Sequence, residues 1–149
     1  MAEVIDKVMD WASRLEAFRE GGLWDACRTY YKDNEQQLVK MNTEQMMKGL
    51  TPEGLVINPL LRSGMPPTLY NTGAFHQSIY IEADEDKILF TASDPKWGQR
   101  VPPSMGWNVT MTPLHEVYGD VLGIPADMEE AVERARNESI SDTFRAMFA

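Results

Sequence analysis

Cysteine and histidine are the scarcest chemically active residues in this chain. The single cysteine, Cys27, excludes an internal disulfide, and its apolar helical surroundings indicate a buried structural thiol rather than a nucleophile. The two histidines, His76 and His115, are far apart in the sequence and belong to no metal-binding motif, so we expect surface or packing roles for them. The sequence therefore predicts neither a zinc site nor a cofactor.

Basic residues are also few, with 14 Lys and Arg against 23 Asp and Glu, which gives a formal net charge of −9 and a pI near 4.7. Binding to nucleic acid usually requires a basic patch, and anionic membrane surfaces attract the same kind of segment. We therefore expect no direct binding to nucleic acid and no membrane association. Long apolar runs are missing, and the first residues are polar rather than signal-like, so we expect synthesis in the cytoplasm.

Recognisable catalytic motifs are missing from the sequence as well. The adjacent Gly21 and Gly22 have no phosphate-loop continuation, and there is no Gly-x-Ser-x-Gly nucleophile elbow. The acidic cluster at 84–86 lacks the ligand spacing and the glycine turn of a calcium loop. We therefore expect a protein that is not an enzyme. A small phage-encoded hydrolase stays an alternative, because folding brings distant side chains together.

The chain does contain enough apolar residues, 43% of 149, to fold as one domain. We divide residues 1–149 into a helical N-terminal part (1–48), a loop and β-hairpin part (49–112) and a C-terminal helical part (113–149). Strands and helices do not alternate regularly. This order favours an α+β fold with long N-terminal helices, an antiparallel β-hairpin or small sheet, and a C-terminal helix.

Apolar residues at alternating four- and three-residue spacing predict two helices in the N-terminal part. Gly21 and Gly22 predict a break or kink between them, because adjacent glycines are costly inside a helix. The second helix is expected from about Leu23 to Lys48, with Gly49 as its C-cap. The first apolar stripe consists of Val4, Val8, Trp11, Leu15 and Phe18, and the second of Trp24, Cys27, Tyr31, Leu38 and Met41.

Alternating apolar and polar residues predict a β-hairpin built from residues 77–82 and 87–92, with an acidic tip between them. Ile79 and Ile81 fall on one face of the first strand, and Phe90 falls on the matching face of the second. Residues 55–57 predict a short edge strand. Gly73 is expected to supply a positive φ where the chain turns into the hairpin.

Two helices are expected in the C-terminal part. Thr112 followed by Pro113 is typical of a helix start. Asp127 with Glu130 resembles a capping box that opens the last helix. The apolar stripe of that helix includes Val132, Ala135, Ile140, Phe144 and Met147.

The polar segment 93–112 is long for a connection in a compact domain. It contains Trp97 and Trp107, two large aromatic side chains that favour docking on a partner. Asp94 and Lys96 directly follow the second strand, where either is suited to pair with a charge across a subunit contact. A merely polar strand end is the alternative interpretation of these two residues.

Four short segments, taken in order, resemble a known group of proteins. They are Gly-Leu-Thr-Pro-Glu-Gly-Leu-Val-Ile-Asn-Pro at 49–59, Leu-Tyr-Asn-Thr-Gly-Ala-Phe-His-Gln-Ser-Ile at 69–79, Asp-Pro-Lys at 94–96 and Tyr-Gly-Asp-Val-Leu-Gly-Ile at 118–124. Their order and spacing are similar to phage and prophage proteins, common in gut Bacteroidetes phages, that are related to tail-completion and virion-morphogenesis proteins. The resemblance covers roughly residues 40–125, and the stretch 97–113 is longer than the usual link in that group.

The resemblance implies a structural component of the virion, namely a head–tail connector, neck or tail-completion protein that acts by protein–protein assembly. Its partners would be portal, adaptor or tail proteins, and several copies would form a symmetric ring. It would be assembled into the virion in the cytoplasm of the bacterial host. An acidic host-directed binding protein stays a further alternative. The residues expected at contacts are Trp97, Trp107, Asp94, Lys96, Tyr70 and Phe75.

Overall fold

The computed structural model describes residues 1–57, 73–94 and 121–148. The fold is α+β, as predicted, with long N-terminal helices, a two-stranded antiparallel sheet and a C-terminal helix. The elements in chain order are α1 (Ala2–Ala17), a π-helical turn (Phe18–Gly22), α2 (Leu23–Asp33), α3 (Glu35–Met47), α4 (Ala74–Ser78), β1 (Ile79–Ala83), β2 (Ile88–Ala92), a 3-10 turn (Ala126–Met128) and α5 (Glu129–Ala146).

The glycine pair does not break the chain of helical turns, but a π-helical turn interrupts the α-helix at the position where a break or kink is predicted. The chain stays helical through the π turn, which joins α1 directly to α2. A Cβ atom at Gly22 would lie 3.2 Å from the Phe18 ring, whereas one at Gly21 would meet nothing within 4 Å. Glycine therefore makes room for the widened turn. The extra residue of a π turn rotates the residues after it by about 100° relative to an unbroken α-helix.

A further interruption lies at Asn34, inside the single helix predicted from Leu23 to Lys48. Asn34 leaves the helical region with φ −106° and ψ 13°, and its side-chain Nδ2 donates to the Tyr30 carbonyl at 2.9 Å. The asparagine side chain competes in this way with the backbone hydrogen bonds of the helix, so asparagine favours helix ends. Gly49 has a φ of 74°, which confirms its predicted place after the end of α3. The buried residues of α2 and α3 are Ala26, Tyr30, Leu38, Asn42 and Met46.

The predicted hairpin is confirmed, with Ile81 opposite Phe90 and Ile79 opposite Ala92. Ile79 and Ile81 are buried while Tyr80 between them is exposed, as the alternation predicts. The first strand begins two residues later than predicted, because residues 74–78 form the short helix α4. Gly73 precedes that helix with a φ of 85°, the positive value expected there. Residues 55–57 form no strand, since only an isolated bridge joins Leu50 to Val56 in this described stretch.

Two groups of buried side chains fill the interior between the helices and the sheet. Val39 and Phe90 pack against both groups and so connect them. The first group contains Met46, Ile57, Phe75, Ile79 and Val121, and the second contains Tyr30, Leu38, Ile81 and Val132.

Helix α5 packs along α2 and the π turn in the opposite direction. Val132 near its start joins Tyr30 in the core, and the Phe144 ring near its end meets the Phe18 ring edge-on at 5.3 Å. The helix begins at Glu129 after the 3-10 turn, and in this described stretch no side chain caps it. The predicted capping box of Asp127 is therefore wrong, because the 3-10 turn places Asp127 inside a turn rather than at the helix boundary.

Candidate functional site

The most prominent candidate surface is the apolar side of α1. Every residue of α1 is exposed, including Val8 at 53% and Trp11 at 48%. Helix α5 ends level with Arg14, whose Nη1 donates to the Met147 carbonyl, so α1 extends beyond the end of α5. The apolar residues recur at three- and four-residue spacing and so share one side of the helix. We call them the α1 face: Met1, Val4, Ile5, Val8, Trp11, Ala12 and Leu15.

Charged residues of alternating sign lie on the polar side of α1, away from the α1 face. They are spaced by four, three and four residues, so they also lie along one side of the helix. Arg14 Nη2 lies 3.0 Å from Asp10 Oδ2, one turn away. Both side chains are about half exposed, so this ion pair stabilises the helix little. In order along the helix these residues are Glu3, Lys7, Asp10 and Arg14.

A groove of about 620 Å³ lies between α2, β2, the segment 121–124 and α5. Its walls are mostly apolar, with charged side chains of α5 at the rim. Cys27 forms part of the wall and is half-buried, which corrects the expectation of a fully buried thiol. The residues that line the groove are Trp24, Cys27, Tyr31, Ile88, Leu89, Phe90, Leu122, Ile124, Glu129, Val132, Glu133 and Arg136.

Arg136, together with Tyr30 and Tyr31, determines the electrostatic character of this groove. Arg136 Nη1 donates to the Tyr31 hydroxyl at 3.4 Å, and this hydrogen bond raises the pKa of the guanidinium. Burial, followed by the neighbouring Tyr31, raises the pKa of Tyr30 above its ordinary value of 10.0. Tyr30 therefore stays neutral at physiological pH, and Arg136 stays charged. The groove suits an apolar side chain better than a reacting group that must exchange protons.

The tip of the hairpin is held by a side chain of α2. Trp24 Nε1 donates to the Asp84 carbonyl at 3.0 Å, and Asp84 itself is exposed at the turn. Lys87 lies 3.6 Å from Glu82 across the hairpin. The acidic tip is therefore placed by one backbone contact and surrounded by solvent, a position suited to meeting a partner.

The residues predicted from the sequence as contacts fall in different places. Phe75 lies in the core with 7% of its surface exposed, so packing accounts for it. Asp94 lies two residues after the end of β2 and is partly buried. His76 is buried in α4. The predicted residues outside the described part of the chain are Trp97, Trp107, Lys96, Tyr70 and His115, together with the helix expected after Thr112.

Sequence reasoning missed one buried polar residue that positions the groove. Asn42 is fully buried in α3, and its Nδ2 donates to the Val121 carbonyl at 2.9 Å. This bond holds the start of the segment 121–124 that forms one wall of the groove. The signal available in the sequence is a polar residue four positions after Leu38, on the apolar side of the helix.

Two features of the described ranges, 1–57, 73–94 and 121–148, bear on the binding of metals and membranes. In those ranges, no three His, Cys, Asp or Glu side chains gather where they could hold a metal ion. No helix among them is both long and apolar enough to cross a lipid bilayer. The chain matches no family model, no curated protein and no solved structure.

Proposed function

We propose that this protein is a structural component of a phage virion, a head–tail connector, neck or tail-completion protein that acts by binding other proteins. The observation that carries the proposal is the α1 face, an apolar stripe along a helix that extends past the end of α5. Its exposed side chains on successive turns include Val4 at 62% and Leu15 at 47%. A continuous apolar surface of this kind is typical of an interaction site.

The length of the α1 face supports an assembly role over a role in folding. A helix of 16 residues is about 24 Å long, so the stripe extends over more than four turns. Burial of apolar area contributes roughly 25 cal/mol per Å². Leaving such a stripe in water forgoes that stabilisation in the isolated chain. A protein that functions within an assembly gains this stabilisation when its neighbours cover the stripe.

The proposed virion role draws further support from the motif around the hairpin. The resemblance predicts a glycine, a bulky residue and a Ser-Ile pair at the entrance of a β-hairpin. Gly73 with its positive φ, the buried Phe75 and the junction of Ser78 with Ile79 stand at that entrance. Each of these residues serves the shape of the backbone or the core.

In this proposal the body of the protein supplies a rigid platform and the exposed elements supply the contacts. The α1 face, the acidic hairpin tip and the groove are the surfaces offered to portal, adaptor or tail proteins. Copies arranged in a ring would meet through unlike surfaces, because head-to-tail contacts close by rotation. The protein performs no turnover, uses no cofactor, and contacts neither nucleic acid nor membrane directly.

The test is to look for the protein in purified particles and to change the α1 face. We expect mass spectrometry to detect it in mature virions. We expect Val8→Glu to leave the monomer folded by circular dichroism but to remove the protein from particles. Asp6→Ser, on the polar side of the same helix, is the matched control and keeps incorporation normal. Absence of the wild-type protein from mature virions, or normal incorporation of Val8→Glu, contradicts the proposal.

A further inference from the structure

We propose that the outer edge of β2, together with the groove beside it, binds an extended segment of a partner protein as a third strand of the sheet. The segment carries apolar side chains at alternate positions and a basic residue where it meets α5. The inference rests on the proposed assembly role and names the kind of partner segment that one surface accepts. In such strand addition, backbone hydrogen bonds provide affinity and side-chain pockets provide specificity.

The hydrogen-bond pattern of the hairpin shows which backbone groups of β2 point away from β1. In an antiparallel pair, opposite residues alternate between those that exchange hydrogen bonds and those whose N–H and C=O groups point outward. Ser93 N donates to the Ser78 carbonyl at 3.0 Å, so these two residues form a bonded pair. Counted from this pair along the register, the outward residues of β2 are Ile88, Phe90 and Ala92.

The outer edge of β1 follows the same pattern and is already covered. Ile81 faces Phe90 in the register, and both of its backbone groups point outward. Glu35 accepts a hydrogen bond from its amide at 3.0 Å, and Lys32 donates one to its carbonyl at 3.1 Å. On the β2 side, no group among the described residues forms a hydrogen bond with the three outward residues. The described part of the chain therefore covers one edge of the hairpin and leaves the other open.

The groove meets this open edge along the strand. Ile88, Leu89 and Phe90 all line it, although the side chains of successive strand residues point to opposite faces of a sheet. A pocket on one face would reach alternate residues, whereas an opening along the edge reaches consecutive ones. The groove of about 620 Å³ therefore lies beside the backbone groups that an added strand would pair with.

The walls and the rim of the groove specify the side chains of the added segment. Trp24 and Ile124 belong to mostly apolar walls, so the positions that face them must be apolar. Glu129 and Glu133 lie exposed at the rim, against the single guanidinium of Arg136. This excess of negative charge favours a basic residue in the segment. A helix does not fit the site equally well, because its backbone groups are bonded internally and leave the edge of β2 unpaired.

Amide hydrogen exchange of the full chain, measured by NMR for each residue, tests whether the edge is open. In dilute protein alone, we expect the amides of Ile88, Phe90 and Ala92 to exchange at least tenfold faster than those of Leu89 and Thr91, which pair with β1. Slow exchange of the outward amides in dilute protein would show that another part of this chain covers the edge. Protection that appears only as the protein is concentrated would show that a second copy covers it. Either result overturns the proposal.

The probe for the partner is the synthetic peptide Lys-Val-Thr-Val-Thr-Val-Lys, which has apolar side chains at alternate positions and a basic residue at each end. At millimolar peptide, we expect exchange of the three outward amides of β2 to slow at least tenfold, with little change at the amides between them. No protection of these amides at that concentration overturns the proposal.

Two N-methylated versions of the peptide separate strand addition from simple apolar contact. Only every second amide of an added strand faces its neighbour. One version is methylated at the amides of its valines and the other at the amides of its threonines, so that the side chains are the same in both. We expect one version to bind at least tenfold more weakly than the parent peptide and the other to bind normally. Equal binding of the two versions overturns the proposal.

The acidic rim is tested separately by the double variant Glu129→Gln with Glu133→Gln. We expect it to bind the peptide roughly threefold more weakly, since these carboxylates are exposed and their attraction is partly screened. Glu138→Gln, on the same helix but outside the groove, is the matched control and should bind normally. Circular dichroism checks that both variants are folded. Equal affinities of the two variants contradict a basic residue at this rim.

The outcomes separate this inference from the proposed function. A chain that is found in virions but gives no protection with the peptide overturns strand addition and leaves the structural role standing. A chain that binds the peptide in the predicted alternating pattern but is absent from virions overturns the structural role and leaves strand addition standing.

Discussion

Glu35 accepts a hydrogen bond from the backbone amide of Ile81 through Oε2, at 3.0 Å. The same carboxylate oxygen lies 2.7 Å from Lys32 Nζ, and that ammonium donates to the Ile81 carbonyl at 3.1 Å. Two side chains at the junction of α2 and α3 thus satisfy both backbone groups of one residue on the free side of β1. An unpaired strand edge is prone to wrong pairing, so this clamp both fixes the hairpin and protects its edge.

The clamp predicts a pH-dependent contribution of Glu35 to stability. Burial raises the pKa of its carboxyl, but the hydrogen bonds from Lys32 and Ile81 outweigh burial and lower it below the ordinary value of 4.5. The stabilisation is therefore present above about pH 4.5 and is lost as the pH falls through the lowered pKa. We expect Glu35→Gln to reduce the free energy of unfolding by about 1 kcal/mol at pH 7. Urea denaturation at several pH values measures it.

The matched control for the clamp is Glu44→Gln on the same helix. Glu44 lies 3.9 Å from Lys40, and both side chains are largely exposed. Such exposed ion pairs contribute little to stability, so we expect Glu44→Gln to leave the free energy of unfolding almost unchanged at every pH measured. A Glu35→Gln deficit that persists unchanged below pH 3 would show that lost packing, not lost charge, causes it.

The two adjacent glycines of the π turn are expected to respond in opposite ways to alanine. A Cβ at Gly21 has open space, so Gly21→Ala should stabilise by about 0.5 kcal/mol through the lower entropy of the unfolded chain. A Cβ at Gly22 meets the Phe18 ring at 3.2 Å, so Gly22→Ala should displace that ring from Phe144 and destabilise by about 1 kcal/mol. Thermal unfolding of both variants measures the two changes in stability. Equal changes would contradict the crowding at Gly22.

Much of this fold follows from local patterns in the sequence. The hairpin and its buried face are predicted because a period of two over Ile79 and Ile81 specifies which side is buried. Gly73 and Gly49 are predicted because a positive φ is a local requirement that glycine meets. These features depend on residues close together in the chain, which is why the sequence alone is sufficient for them.

The features that escaped prediction depend on contacts between distant residues. The π turn is stabilised where Phe18 meets Phe144, and the groove forms only where α2, β2 and α5 come together. The clamp of Glu35 on Ile81 likewise joins two separate parts of the chain. The exposed α1 face was visible as a stripe, but its exposure becomes evident only once the end of α5 is located.

Trp24 is expected to hold the hairpin tip through its indole. Trp24→Phe keeps an aromatic ring in the groove wall but removes the hydrogen bond to the Asp84 carbonyl, at a cost of about 1 kcal/mol. We expect faster amide exchange in the tip, residues 84–87, with little change in the core. Tyr80→Phe, on the exposed face of β1, is the control and should leave exchange at the tip unaltered. Unchanged exchange in Trp24→Phe would mean that the hairpin turn holds its own shape.

Asn42 is expected to be the most sensitive polar residue of the described core. Its Nδ2 satisfies the Val121 carbonyl, and its Oδ1 has no hydrogen-bond partner among the described residues. Asn42→Ala leaves that carbonyl unpaired and a small cavity beside it, so we expect a loss of about 2 kcal/mol or more. Gln36→Ala, at an exposed position of α3, is the control and should change little.

Asn42→Asp separates the contribution of the Asn42 amide as a hydrogen-bond donor from the contribution of its side-chain shape. The new carboxylate keeps the size of the side chain but faces the Val121 carbonyl without a proton to donate. Burial should raise the pKa of that carboxyl in the folded state, so the variant should lose stability as the pH rises above the carboxyl's ordinary range. At acid pH the protonated acid donates to Val121 in place of the amide, and the deficit should shrink. Urea denaturation at pH 4 and pH 7 compares the two states, and a deficit equal at both would place the role of Asn42 in its shape alone.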